Sequence, residues 1–117
     1  MLKFRVFGLA LLSFANFSCT ASAEENNQPL MEFASANCFF WYFKENDIPT
    51  SDISKITGGI VEMSSYSADK FQRVALLVKS YSPQIKTKQK VDLQLAKCFF
   101  LEKDPSFIKQ IQKIIES

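Results

Sequence analysis

Apolar residues in this chain recur at three- and four-residue steps from Leu30 to Ile115, the spacing of one face of an α-helix. Glycine occurs three times and proline four, too few for a domain built from strands and tight turns. The period predicts an all-α fold, a small bundle of about five helices.

The first helix opens at Pro29, which suits a first-turn position, and carries Leu30, Phe33, Ala34, Cys38, Trp41 and Tyr42. Phe39, Phe40 and Phe43 widen this stripe until it nearly encircles the helix, as expected of a central helix or of one that also meets a partner subunit. Asn46-Asp47 and Pro49 end it. Thr50 or Ser51 can cap a second helix with Ile53, Ile56, Ile60 and Met63 on one face. Gly58 and Gly59 sit inside that helix at a cost of about 1 kcal/mol each against alanine. Close approach of another core helix is the expected reason; the alternative is a kink or contact face used in self-association or binding. Ser67 caps a third helix, with Asp69 well placed for the dipole and Phe71, Val74, Ala75, Val78 and Tyr81 facing inward. Ser82-Pro83 stops it, and a polar stretch, 84–89, follows as a loop. The fourth helix carries Val91, Leu95, Cys98, Phe99 and Leu101. Asp104-Pro105 starts a fifth, with Phe107, Ile108, Ile111, Ile114 and Ile115 inward.

Residues 1–23 have the anatomy of a cleaved export signal. Lys3 and Arg5 form a positive start, the apolar run from Val6 to Ala15 is too short to span a bilayer, and Ala21-Ser22-Ala23 is a small-x-small cleavage site. The rival readings are a retained membrane anchor and a lipoprotein with Cys19 as lipid acceptor, although Asn16-Phe17-Ser18 makes a poor site for lipidation. The expected product is an exported domain, 24–117, with no membrane segment of its own. Losing Lys3 and Arg5 brings the fourteen basic residues down to match the twelve acidic ones, so nucleic-acid binding gains no support from net charge. Cys19 also leaves, and the remaining pair, Cys38 and Cys98, is expected to form a disulfide in an oxidising compartment. Such a bridge closes a loop worth about 4 kcal/mol in the chain-entropy model.

Chemistry is harder to find. The chain has no histidine, which removes the commonest general base and the commonest metal ligand, and leaves a nucleophilic cysteine without its usual partner. Glu45 with Asp47, and Glu102 with Asp104, read as solvated or capping residues at helix ends. The expectation is a binding protein with no catalytic residue, no metal and no cofactor. Surplus aromatic area at Trp41, Tyr42 and Phe43, together with Gly58 and Gly59, makes a candidate packing or dimer face.

The segment from Gly58 to Ser67 (GGIVEMSSYS) leads into Lys70–Tyr81, a lysine-rich loop and then Leu95-Ala96-Lys97-Cys98. With Asn37-Cys38-Phe39-Phe40 in an aromatic first helix, this order resembles the type VI secretion amidase immunity proteins, specifically the fourth group of that set. The resemblance spans residues 34 to 115 and implies a helical homodimer in the periplasm. It implies inhibition of a papain-like amidase that cuts peptidoglycan peptides after the D-glutamate linked to diaminopimelate, by a loop pushed into the catalytic cleft. Carried onto this sequence, that loop is Ser82–Lys90, with Ser82, Pro83, Gln84, Lys86, Lys88 and Lys90 as the residues expected to enter. A small, helical, disulfide-bonded acid-stress chaperone of the periplasm is the alternative from another class, and a secreted hydrolase is the weakest of the three.

Overall fold

A computed structural model describes residues 26–117; the expected leader, with its cleavage site and Cys19, lies outside the described residues. Five α-helices follow one another: α1 (Gln28–Glu45), α2 (Ser51–Glu62), α3 (Ala68–Ser80), α4 (Leu93–Phe100) and α5 (Pro105–Glu116), with a 3₁₀ turn Leu101–Lys103 between the last two. The architecture is all-α, with no strand among the described residues. Helix α1 is central and packs against α2, α3, α4 and the 3₁₀ turn, while α5 covers α3 and that same turn.

Local chemistry explains each boundary. At the end of α1, Asp47 adopts a left-handed conformation with φ 58°, which short polar side chains tolerate. Its neighbour Ile48 donates its backbone N–H to the Phe43 carbonyl at 2.9 Å, and Asp47 donates to that of Lys44 at 3.4 Å, the paired bonds of a Schellman ending. Ser67 caps α3 by accepting from the Lys70 N–H, and the Asp92 carboxylate caps α4 through the Gln94 and Leu95 N–H groups at 2.9 and 3.1 Å. Asp104 does the same for α5, accepting from Phe107 N–H at 3.0 Å just ahead of Pro105. The other end of α5 is held by Lys70, whose Nζ donates to the Ile115 carbonyl at 2.6 Å.

The core follows the helical stripes closely. Leu30, Phe33, Ala34 and Cys38 of α1 meet Phe71, Val74 and Val78 of α3, and Phe107, Ile111 and Ile115 of α5 close the third side. Phe33 meets Phe71 edge-on at 5.1 Å between centroids, and Tyr81 meets Phe107 at 5.2 Å. Cys38 and Cys98 are both buried and bonded, with Cα atoms 5.4 Å apart, so the expected disulfide is present and ties α1 to α4.

Two stripes differ from the sequence expectation. On α2 only Ile53 is buried; Ile56 is 54% exposed and Met63 90% exposed. No core helix approaches the glycines either, because a Cβ at Gly58 or Gly59 would meet nothing within 4 Å. Helix α2 lies on α1 as an outer shelf and its second face has no third helix to cover it, so close packing is not what the glycines serve. On α4, Val91 falls before the helix and Phe99 is turned outward, meeting the half-buried Phe39 ring in a T-shaped pair at 5.3 Å between centroids. Caps are also used differently at α2, where Thr50 holds the cap position without a side-chain hydrogen bond.

Replacing both bridged cysteines, Cys38→Ala with Cys98→Ala, is expected to lower unfolding free energy by about 4 kcal/mol, read from urea denaturation of the oxidised wild type and the variant. Gly58→Ala has room for its methyl and gains helix propensity, so it is expected to raise stability by about 1 kcal/mol in the same assay.

Candidate functional site

Helix α3 stops because Pro83 cannot continue it, and the chain leaves Tyr81 in an extended conformation with ψ 138°. Over Tyr81–Lys86 alternate residues turn inward and outward: Tyr81, Pro83 and Ile85 are half-buried, whereas Ser82, Gln84 and Lys86 are exposed. This is the two-residue period of an extended segment, and it clamps the start of the loop to the bundle on one face. Beyond Ile85 every residue to Leu93 is exposed, including Lys88 and Lys90. The Thr87 hydroxyl donates to the Gln89 carbonyl at 2.7 Å, folding the tip around Lys88.

Asp104 holds the base of this loop. Its Oδ1 accepts from the Phe107 N–H and, at 2.7 Å, from the Tyr81 hydroxyl, so one carboxylate caps α5 and fixes the residue where the loop begins. The Phe107 N–H bond, then the Tyr81 hydroxyl, with smaller help from the Ser106 and Gln84 N–H groups, hold the Asp104 carboxyl below its usual pKa against the opposing effect of desolvation. Tyr81 responds in the other direction. A Ser106 hydrogen bond acts to lower its pKa, but desolvation and the Asp104 bond and charge outweigh it, and the phenol is raised.

Across the loop's foot, the Lys97 Nζ of α4 donates to the Val78 carbonyl in the last turn of α3 at 2.6 Å. That bond joins the two helices from which the loop springs and satisfies a carbonyl at a helix end. Burial lowers the Lys97 pKa, with the Glu45 charge acting to raise it. Gln94 Nε2 donates in turn to Glu45 Oε1, tying the first turn of α4 to the last turn of α1.

Behind these links lies a cleft of about 220 Å³ lined by Trp41, Val78, Lys79, Gln94, Lys97 and Glu45, and backed by Cys38 of the disulfide. Ammonium groups flank the indole: Lys79 Nζ is 4.8 Å and Lys44 Nζ 5.4 Å from its ring centre. Trp41 Nε1 is buried and has no hydrogen-bond partner, and Asn37 Oδ1, one turn earlier on α1, shares that state.

The residues expected at the site divide into separate places. Ser82, Pro83, Gln84, Lys86, Lys88 and Lys90 share one loop, and Cys38 and Cys98 stand behind its foot. The expected composite face of Trp41, Tyr42, Phe43, Gly58 and Gly59 is not assembled. Trp41 lines the cleft against α3 and α4, whereas Gly59 lines a groove with Pro29 and Glu32 at the opposite end of α1. Tyr42 and Phe43 are half-buried and meet each other edge-on at 6.4 Å. Sequence reasoning missed Lys44, Lys79, Gln94 and Lys97 around the indole. A signal existed for Lys97, which interrupts the apolar run of α4 next to Cys98, and for Lys44, three residues after Trp41 on one helix.

Among the described residues no group of three or more His, Cys, Asp or Glu is placed to hold a metal ion, and no helix is long and apolar enough to cross a membrane. No protein-family model, curated protein or solved structure matches this chain. The arrangement offers binding chemistry: exposed ammonium groups on a loop pinned at both feet.

A carboxyl whose folded pKa is lowered stabilises the fold above its unfolded pKa of about 3.9, and that contribution is lost as pH falls through the folded value. Asp104→Ala is therefore expected to cost about 1 kcal/mol at neutral pH as a lost cap. The gap to wild type should narrow as pH falls below 4, in urea titrations across that range.

Proposed function

We propose that the mature chain is a periplasmic immunity protein that binds a type VI secretion peptidoglycan amidase and blocks its active-site cleft with the loop Ser82–Lys90. The observation that carries this reading is the loop itself, polar and exposed at its tip, with its start clamped by Tyr81 and Asp104 and its feet joined by Lys97. A plug needs no reactive group. It needs a shape that does not lose much entropy on binding, and a loop fixed at both ends on a cross-linked scaffold meets that need. Exposed apolar side chains at Val91 and Leu93, immediately after the lysines, supply, beside the charges, anchors that binding would desolvate.

The same reading includes a homodimer. The surface that supports it is α2, where Ile56 and Met63 are exposed and the two glycines leave the backbone open to close approach. One observation favours the chaperone alternative: the hydrogen bonds that clamp the loop are stronger to an ionised Asp104, so acid would weaken the contact between Tyr81 and the start of α5. The two readings separate at neutral pH, where an inhibitor binds one folded enzyme stoichiometrically and a chaperone is idle.

The test is co-purification with the cognate amidase and a cell-wall digestion assay with and without this protein. Lys86→Ala with Lys88→Ala is expected to weaken inhibition about tenfold while leaving the melting temperature unchanged, because both side chains are exposed. Unchanged inhibition by that variant removes the loop from the proposal.

A further inference from the structure

The cleft beside the loop has an unusual balance of donors and acceptors. Lys79 stands over the Trp41 ring at 4.8 Å, and among the described residues neither it nor Lys44 has a carboxylate within salt-bridge distance. Lys97 is half-buried and spends one N–H on the Val78 carbonyl, leaving its remaining hydrogens for another acceptor. Trp41 presents its ring to the cleft, while its Nε1 is buried away from solvent without a partner. Against these donors the lining holds one anion, Glu45, which already accepts from Gln94. Two ammonium groups therefore exceed one carboxylate within about 220 Å³, with a third ammonium, Lys44, 5.4 Å from the centre of the indole. What such a site lacks is an anion that only accepts hydrogen bonds and carries a short apolar stem to lie against Trp41 and Val78. A carboxylate on a methylene stem has that chemistry.

Position decides where the carboxylate comes from. Val78 and Lys79 are in the last turn of α3 and Gln94 in the first turn of α4, so the cleft opens at the foot of the α3–α4 loop. Any protein that engages the loop brings its own surface over this opening. We propose that the cleft is a carboxylate-binding site, filled by an aspartate or glutamate side chain of the protein that the loop engages; only the source of the carboxylate rests on the inhibitor reading. Seating it pairs the unmatched lysines and supplies Lys97 with a second counter-charge where burial now disfavours its ionised form. The contact would fix the register of the bound loop, since the pocket accepts one side chain.

Trp41 is the only tryptophan in the chain and reports on the cleft directly. The probes are N-acetyl-glutamate N-methylamide and its glutamine counterpart, titrated to tens of millimolar and followed by tryptophan emission and by the indole N–H resonance. The acidic probe is expected to give a saturable change that the neutral one does not. That binding should weaken with salt and fall about fivefold in Lys79→Ala, an exposed position whose loss leaves the fold intact. Equal responses to the two probes, no saturable change by either readout, or full binding by Lys79→Ala would each overturn the site. Free glutarate binding more tightly than the blocked glutamate would overturn the assignment to a protein side chain. If the acidic probe binds but the Lys86/Lys88 variant inhibits the amidase normally, the loop reading fails and the cleft stands; loss of inhibition in that variant with no probe binding removes the cleft alone.

Discussion

The covalent tie between Cys38 and Cys98 carries more of this fold than its size suggests, because α4 has little else. At eight residues, α4 is too short to hold helical structure by its own hydrogen bonds, and Cys98 is its only fully buried side chain. Its outer residues Leu93 and Phe99 face solvent. The bridge and the Gln94–Glu45 hydrogen bond keep it against α1, the Lys97 bond joins it to α3, and the Asp92 cap supports its own first turn. Joining the middle of α1 to α4 also closes a loop containing α2, α3 and the lysine-rich connection, so the constraint that stabilises the chain is the one that positions the loop.

Polar links then do locally what a larger core would do elsewhere. The α3–α4 connection runs extended from Tyr81 without a neighbouring strand to accept its backbone hydrogen bonds, so it is held by side chains at its ends and by water along its exposed length. Asp104 is the most economical of these holders, since a residue required for capping α5 also receives the Tyr81 hydroxyl. Coupling the two tasks means that α5 and the loop respond together to the protonation of one carboxyl.

Much of this was legible in the sequence, for reasons that are themselves local. The five helices, the Ser67 and Asp104 caps and the Pro83 stop depend on residues within a few positions of one another. The cysteine pair was legible because only two remain once a leader is set aside. The face of α2 was not, because Ile53, Ile56, Ile60 and Met63 have the period of a buried stripe whether or not a third helix arrives to cover it. Nor was the cleft: Trp41, Lys79 and Lys97 come from three helices, and no period within one helix records which residues of the others it meets.

Net charge illustrates the same limit and bears on function. The near balance of fourteen basic and twelve acidic residues describes an average over the chain, whereas association responds to which charges are already engaged. Around the α3–α4 loop the acids are each engaged in internal hydrogen bonds: Asp92 caps α4, Asp104 caps α5 and receives Tyr81, and Glu45 accepts from Gln94. The lysines there are not matched, for among the described residues none of Lys44, Lys79, Lys86, Lys88 or Lys90 has a carboxylate within salt-bridge distance. That end of the described chain therefore presents lysines without carboxylate partners, and a partner surface rich in acceptors is its physical complement.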